Sequence, residues 1–278
     1  MVISGHTRFL AHLGVPTESF KAPMIYNPWF EQSGIDAVVV PMGCEAEEFP
    51  VFFKSLMRLR NIVGALITMP HKISVVGLVD EITTTVKICG SSNAVRKNAD
   101  GTLTADMFDG EGFARGVLSK GRTIQGASVI VVGSGGVGSA IAASLAKAGT
   151  ARMTLFDTNQ DSCNRLAERL KQHYPQIEIT TGSNDPAGHD IVVNATPLGM
   201  NAGDPLPMDT DRIDPSAFVG EVVMKAEQTR FLAAASERGC VTQVGTDMLF
   251  EMIPAYLEFF GYPPATPDEL RKVATIRY

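Results

Sequence analysis

The chain has 278 residues, of which 45% are hydrophobic and 19% are charged, and its formal net charge is −6. This composition is that of a globular protein long enough for two domains, and its acidic balance argues against a nucleic-acid surface. No apolar run approaches the length of a membrane span, and the four cysteines and five histidines have no ligand-like spacing. We therefore expect a cytoplasmic protein with reduced thiols and no metal, which binds neither nucleic acid nor a membrane.

Short apolar runs alternate with longer amphipathic runs in the first part of the chain, a pattern typical of an α/β domain. The predicted strands cover residues 9–15, 37–40, 62–68, 93–96 and 102–105. The predicted helices cover residues 23–32, 47–60, 73–88 and 110–119. The sequence therefore predicts a first α/β domain over residues 1–113.

The second part opens with a near-continuous apolar run at 127–132, which suits a central parallel strand covered on both faces. Further strands are predicted at 153–156, 178–180, 190–194, 218–223 and 241–243, with helices at 137–148 and 161–173. This alternation predicts a doubly wound Rossmann domain over residues 114–245. Residues 246–278 are expected to form C-terminal helices that complete the first domain.

A glycine-rich segment follows the first strand of the second part and opens a helix, which is the context that the G-x-G-x-x-G motif requires. The first glycine permits a tight turn, the second lets the backbone approach a pyrophosphate, and the third lets helix and strand pack closely. Unpaired N–H groups at the helix N-terminus favour the phosphate anion. The sequence therefore predicts a nicotinamide-dinucleotide site that includes Gly133, Ser134, Gly135, Gly136, Val137 and Gly138.

An acidic residue, Asp157, ends the next predicted strand, 19 positions beyond Gly138. A carboxylate at this place accepts hydrogen bonds from the ribose hydroxyls of NAD and repels the 2′-phosphate of NADP. Neither Arg152, before the strand, nor Arg165, inside the following helix, is placed to bind that phosphate. We therefore predict NAD as the preferred cofactor, with NADP as the alternative.

Five segments in chain order resemble those of the shikimate dehydrogenase family. Three lie in the first part: G-A-L-I-T-M-P-H-K at 64–72, G-S-S-N-A-V at 90–95 and A-D-M-F-D-G-E-G-F at 105–113. Two lie in the second part: N-A-T-P-L-G-M at 194–200 and a stretch at 245–261 that is similar to the family's closing helix. The resemblance implies an N-terminal α/β substrate-binding domain before the Rossmann domain. It also implies NAD(P)-dependent interconversion of a cyclic alcohol, such as shikimate, quinate or a relative, and its ketone.

The resemblance implies roles for individual residues. It makes Lys72 and Asp109 the catalytic pair, in which the lysine takes the proton of the substrate hydroxyl and the carboxylate orients the lysine. Taken alone, Lys72 could also be a solvated lysine, and Asp109 could be a helix N-cap. Thr68 and Asn93 match substrate-contacting positions of the family. Three further residues match positions that line the family's cofactor site: Thr196, Val222 and Gly245.

The chain departs from the family where polar substrate ligands are expected. Phe20 and Ala22 stand in place of two serines that bind the substrate carboxylate, and Leu66 stands in place of an asparagine. The same loss of polarity occurs at Met107, Phe108, Met224 and Met252, the last of which matches a substrate-contacting glutamine. A carboxylate without partners in such a pocket is costly, because its desolvation is not offset.

Two interpretations of these departures remain open. Lys21, Ser19 or Thr17 could bind the carboxylate instead, so that the substrate remains similar to shikimate or quinate. Alternatively, the substrate is a less polar cyclic alcohol or ketone.

Two other classes of protein compete with a dehydrogenase of this family. One is an enzyme similar to methylene-tetrahydrofolate dehydrogenase, which also uses a lysine in a two-domain design. The other is a non-enzymatic regulator that binds a dinucleotide or a metabolite, a hypothesis favoured by the missing serines. The pair Lys72 and Asp109 and the N-A-T-P-L-G-M loop favour the dehydrogenase.

Overall fold

The structure is a computed structural model that describes residues 2–224 and 228–276. Its contacts divide the chain into two compact units. The first unit holds the described residues up to Phe108 and those from Ile253 onward, and the second runs from Asp109 to Met252. No helix of the described chain is long and apolar enough to cross a bilayer.

The first unit is built around a six-stranded mixed sheet with the strand order β2-β1-β3-β5-β6-β4. Its strands are β1 (Arg8–Leu13), β2 (Ala37–Met42), β3 (Ile62–Ile67), β4 (Glu81–Ile82), β5 (Ala94–Lys97) and β6 (Leu103–Asp106). Its helices include α1 (Pro23–Gln32), α2 (Phe49–Leu56) and α3 (Thr84–Cys89). β1 pairs in parallel with β2 and β3, whereas β5 is antiparallel to both of its neighbours.

One face of this sheet is covered by the aromatic side chains of α2. Phe49 and Phe53 are fully buried and belong to one apolar cluster with Leu13 of β1 and Ile67 of β3. Because successive side chains of a strand alternate between faces, every second residue of β1 and β3 turns away from this cluster. The side chains that turn away at the carboxyl ends of these strands are therefore available for a site on the other face.

The second unit is a six-stranded parallel sheet with the strand order β12-β11-β10-β7-β8-β9. Its strands are β7 (Ser128–Val132), β8 (Arg152–Phe156), β9 (Glu178–Thr181), β10 (Ile191–Asn194), β11 (Phe218–Glu221) and β12 (Val241–Gln243). Its helices include α4 (Asp109–Ser119), α5 (Gly136–Lys147), α6 (Gln160–His173) and α7 (Arg230–Glu237). Every residue of β7 is buried, as its apolar run predicts. Counted from β7, the order is the 3-2-1-4-5-6 of doubly wound dinucleotide-binding folds.

Two helices close the chain. They are α8 (Gly245–Phe260) and α9 (Pro267–Val273), which begins with a capping box formed by Thr266 and Glu269. The division of the chain at Met252 falls inside α8, so that the second half of this helix belongs to the first unit.

The helix predicted at 73–88 is wrong. A short 3₁₀ segment, Ser74–Leu78, is followed by β4, which pairs in parallel with β6, and only then by α3. The Thr83 hydroxyl accepts a hydrogen bond from the Val86 N–H and so caps α3 late in the predicted range. Gly77 and the β-branched residues around Thr83 have low helix propensity. The helix was predicted because the apolar residues of the segment have helical spacing.

Candidate cofactor and catalytic sites

The turn after β7 needs glycine at two positions. Gly133 has a left-handed backbone with φ of 109°, and a Cβ there would lie 2.7 Å from the carbonyl carbon of Ala195, just beyond β10. A Cβ on Gly138 would collide with the Gly133 carbonyl oxygen. The turn, the start of α5 and the end of β10 are therefore packed so closely that no Cβ fits, as the predicted roles of the first and third glycines require.

The middle of the same turn is open. Gly135 is exposed and has an extended backbone, and a Cβ there would meet no atom within 4 Å. α5 begins at the next residue, and its N-cap, Gly135, has no side chain that could cap the first N–H groups. The hydroxyl of Ser134 is buried beneath this turn. Uncapped donors beside empty space fit the pyrophosphate of a dinucleotide.

Asp157 follows β8 and holds this turn in place. One carboxylate oxygen accepts a hydrogen bond of 2.6 Å from the Ser134 N–H, and the other accepts one of 2.8 Å from the Asn159 N–H. Each oxygen keeps a lone pair for a ribose hydroxyl. The sequence indicates only the ribose contact, because the bond to the glycine turn depends on strand pairing between β7 and β8.

The loop after β10 is organised by one asparagine. The Asn194 side-chain oxygen accepts hydrogen bonds from the Thr196 N–H and hydroxyl, at 3.1 and 2.6 Å, and its amide donates to the Leu198 carbonyl at 3.0 Å. The Thr196 hydroxyl also accepts a hydrogen bond from the Leu198 N–H. Thr196 therefore shapes its own loop. Its predicted contact with the cofactor stays a prediction.

The two other residues predicted to line the cofactor site, Val222 and Gly245, follow neighbouring strands of the sheet. The Val222 N–H donates to the Asn194 carbonyl, so Val222 follows β11 directly beside the loop. A Cβ on Gly245 would collide with the Val223 carbonyl, so the start of α8 passes close to this segment. Since all strands of the sheet are parallel, Val222, Gly245, Thr196 and the glycine turn lie at one edge.

A buried acid, Glu221, ends β11 at the same edge and was not identified from the sequence. It has no exposed surface, and one of its oxygens accepts a hydrogen bond of 2.9 Å from the Thr229 hydroxyl. Burial raises the pKa of Glu221 to about 7. Its only signal in the sequence is an acidic residue that ends the apolar run of a central strand.

The stability of the protein is expected to depend on Glu221 and pH. The carboxyl has a pKa of about 7 when folded and an ordinary value of 4.5, so the folded state binds the extra proton between these values. The contribution of the Glu221 carboxyl to the stability of the folded state therefore becomes less favourable as pH rises through this window. Glu221→Gln cannot ionise and so removes that loss. We therefore expect the difference in melting temperature, variant minus wild type, to increase by a few degrees from about pH 5 to about pH 8.

Scanning calorimetry across this range tests the expectation. Glu237→Gln, an exposed acid on α7, is the matched control and should follow wild type. A difference for Glu221→Gln that does not change with pH would refute the assignment.

Three predicted residues of the first unit meet at the carboxyl end of β3. Thr68 directly follows the strand, and its N–H donates to the Leu13 carbonyl at 2.9 Å. The Ile67 N–H donates to the Asn93 carbonyl, and the Lys72 carbonyl accepts from the Ser92 N–H, both at 2.8 Å. Two of the predicted residues, Thr68 and Lys72, are half-buried. This part of the chain therefore brings the backbones of a lysine, a threonine and an asparagine close together.

The Asn93 side chain has a structural partner. It is buried, and its oxygen accepts a hydrogen bond of 2.9 Å from the Phe108 N–H. Its oxygen thus fixes the chain beyond β6, and its contact with substrate stays a prediction. Lys21 lies at the start of α1, where its carbonyl accepts from the Met24 N–H, and its side chain is half-buried.

The remaining predicted residues belong to the second unit. Asp109 is the first residue of α4 and is 5% exposed. A Cβ on the next residue, Gly110, would collide with the Ala140 carbonyl, so α4 lies close against α5. Met252 on α8 is half-buried and would contact a Cβ on Gly112 at 2.6 Å. Asp109 is thus buried at the N-terminus of a helix, where a carboxylate is favoured.

These observations define the class of the protein: an α/β unit with a clustered lysine, threonine and asparagine, and a doubly wound unit of the dinucleotide-binding kind. A sequence model described as the shikimate dehydrogenase substrate binding domain matches residues 13–95, and one described as the saccharopine dehydrogenase NADP binding domain matches residues 129–201. The shikimate dehydrogenase (NADP(+)) of Acidiphilium cryptum strain JF-5 is 31% identical over 97% of this chain and 96% of its own. The chain belongs to the shikimate dehydrogenase family.

Solved structures agree with this fold. Shikimate 5-dehydrogenase from Listeria monocytogenes, in complex with shikimate and NAD, matches with a TM-score of 0.91 and 24% identity over 98% of this chain and 97% of its own. Quinate dehydrogenase from Corynebacterium glutamicum, in complex with NAD, matches with a TM-score of 0.85 and 26% identity over 96% of this chain and 98% of its own. The predicted fold class and family are thus confirmed.

Proposed function

We propose that this chain is a cytoplasmic NAD(P)-dependent oxidoreductase that interconverts a cyclic secondary alcohol, such as shikimate, quinate or a relative, and its ketone. The observation that carries the proposal is the open turn at Gly135 before the uncapped N-terminus of α5. In a member of this family, that turn is where a dinucleotide pyrophosphate is held. The group of Lys72, Thr68 and Asn93 supports a substrate site in the first unit.

The oxidation removes a hydride from the carbinol carbon and a proton from the hydroxyl oxygen. A bound nicotinamide dinucleotide supplies the hydride acceptor. We assign the proton to Lys72, which accepts it in the neutral form and passes it to solvent. Asp109 is assigned, by the family resemblance, the role of a carboxylate that assists this proton transfer.

A cofactor-reduction assay tests this function. Shikimate, quinate and simple cyclic alcohols would be offered to the wild type with NAD⁺ and NADP⁺ in parallel. Reduction of a nicotinamide with at least one of these alcohols is expected. Binding of both cofactors without reduction by any of them would favour a regulator instead.

The cofactor preference is a separate expectation. Because the Asp157 carboxylate lies beside the glycine turn, we expect a higher kcat/KM with NAD than with NADP, since a 2′-phosphate there meets a like charge. The shikimate dehydrogenases of Acidiphilium cryptum and Rhodospirillum rubrum are named as NADP(+) enzymes, so a preference for NAD would distinguish this chain from them.

Asp157→Ser is expected to shift the ratio of the two kcat/KM values towards NADP by about fivefold or more, since one like-charge contact is worth about 1 kcal/mol or more near a surface. Asp161→Ser, a change at an exposed acid in the first turn of α6, is the control. A wild type that prefers NADP would overturn the assignment.

A further inference from the structure

His12 of β1 lies at the same end of the first sheet as the proposed substrate site. It pairs in register with Leu66 of β3, while the next residues along, Leu13 and Ile67, belong to the apolar cluster under α2. His12 and Leu66 therefore lie side by side on the opposite face of the sheet. Thr68 is close by, since its N–H donates to the Leu13 carbonyl at 2.9 Å.

The ring of His12 is held by stacking, and one of its nitrogens has no hydrogen-bond partner among the described residues. It stacks on Phe20, with the ring centroids 4.0 Å apart and the planes inclined by 25°. Nδ1 is buried, and no group of the described chain hydrogen-bonds to it. A buried polar atom without a partner is uncommon in folded proteins and calls for an explanation. Nδ1 of His71 is also buried without a partner in the described chain, but Nε2 of His71 lies 2.7 Å from the Cys44 carbonyl oxygen and its ring stacks on Phe49 in the core.

Lys72 is near enough to act on His12. Burial is the larger cause, and the charge of Lys72 the smaller, of a fall in the pKa of His12 to about 4. The imidazole is therefore neutral at physiological pH, with one donor and one acceptor nitrogen. A hydroxyl group can both accept from and donate to such a ring, whereas a carboxylate can only accept and would gain no charge pairing from it.

We infer that His12 is a substrate-binding residue, whose ring hydrogen-bonds an uncharged hydroxyl of the substrate near Lys72. The inference rests on the proposed function and specifies its substrate further. The part of the substrate over the Phe20–His12 stack is a hydroxylated ring carbon, and any carboxylate lies elsewhere. His12 thus supplies hydrogen bonding on a face of the sheet where its register partner, Leu66, is apolar.

Two variants separate hydrogen bonding from packing. His12→Leu fills the space without a polar atom, and His12→Asn keeps a donor and an acceptor close to the position of Nδ1. With shikimate and quinate as probes, we expect His12→Leu to raise KM about tenfold with little change in kcat, because binding in the ground state and in the transition state is lost equally. His12→Asn should recover most of the loss, and the melting temperature of His12→Leu should equal or exceed that of wild type. His6→Leu, at an exposed histidine of the same unit, is the control.

A direct binding measurement keeps this test independent of turnover. In protein labelled with ¹⁵N-histidine, the ring resonances of His12 should shift on titration with shikimate or quinate, and those of His6 should not. No shift with either compound, an unchanged KM in His12→Leu, or equal losses in the Leu and Asn variants would overturn the inference. Failure of the proposed function has a different signature, in which the His12 resonances move but no nicotinamide is reduced.

Discussion

Lys72→Ala is expected to lower kcat by about 10²–10⁴-fold, the usual contribution of one positioned acid–base group. Without the amine, the hydroxyl proton has no acceptor as the hydride leaves, so the transition state is destabilised while the ground state is not. Affinity for the dinucleotide should be unchanged, because the glycine turn lies in the other unit. Steady-state kinetics with the best alcohol of the panel, together with a fluorescence titration of the reduced cofactor, measure the two effects.

Lys54→Ala is a suitable control, since Lys54 is an exposed lysine on α2 of the same unit. Its kinetic constants should match those of wild type. A Lys72→Ala enzyme with full turnover would remove Lys72 from the reaction. Loss of cofactor affinity in that variant would indicate a fault in folding instead.

An added methyl group is expected to lower stability at one glycine of this turn and cofactor affinity at another. Gly138→Ala places a Cβ against the Gly133 carbonyl oxygen and should destabilise the protein by about 1–3 kcal/mol, the usual cost of overpacking. Gly135→Ala meets no atom within 4 Å, so its stability should be that of wild type. Its methyl group nevertheless occupies the space assigned to the pyrophosphate, and cofactor affinity should fall at least about tenfold, or 1.4 kcal/mol.

Thermal unfolding and a cofactor titration on both variants check this pair. The informative case is Gly135→Ala, because its folded state is undisturbed and only binding is tested. If this variant binds the dinucleotide as tightly as wild type, the turn does not hold the pyrophosphate.

The doubly wound unit was the part most readily predicted from the sequence. A near-continuous apolar strand, a glycine turn and an acid after the next strand are local patterns, and each requires little knowledge of distant residues. The helix predicted at 73–88 failed because β4 forms through its pairing with β6, a contact between distant segments. Local spacing cannot reveal such a pairing.

The site was only partly predictable for the same reason. Thr68 and Lys72 are close in sequence and remain close in the structure. Glu221 and His12 were missed, because the burial of Glu221 and the unpartnered Nδ1 of His12 depend on how distant strands pack. The hydrogen bond from the Phe108 N–H to Asn93 likewise joins residues 15 positions apart.

Transfer of a deuterium label tests the central claim most directly. The best alcohol of the panel would carry deuterium at its carbinol carbon, and the reduced nicotinamide would be analysed by mass spectrometry and NMR. The account predicts one deuterium at the nicotinamide ring for each ketone formed, because the hydride passes from carbon to cofactor without exchange with water. Reduced cofactor without the label, or ketone without reduced cofactor, would contradict it.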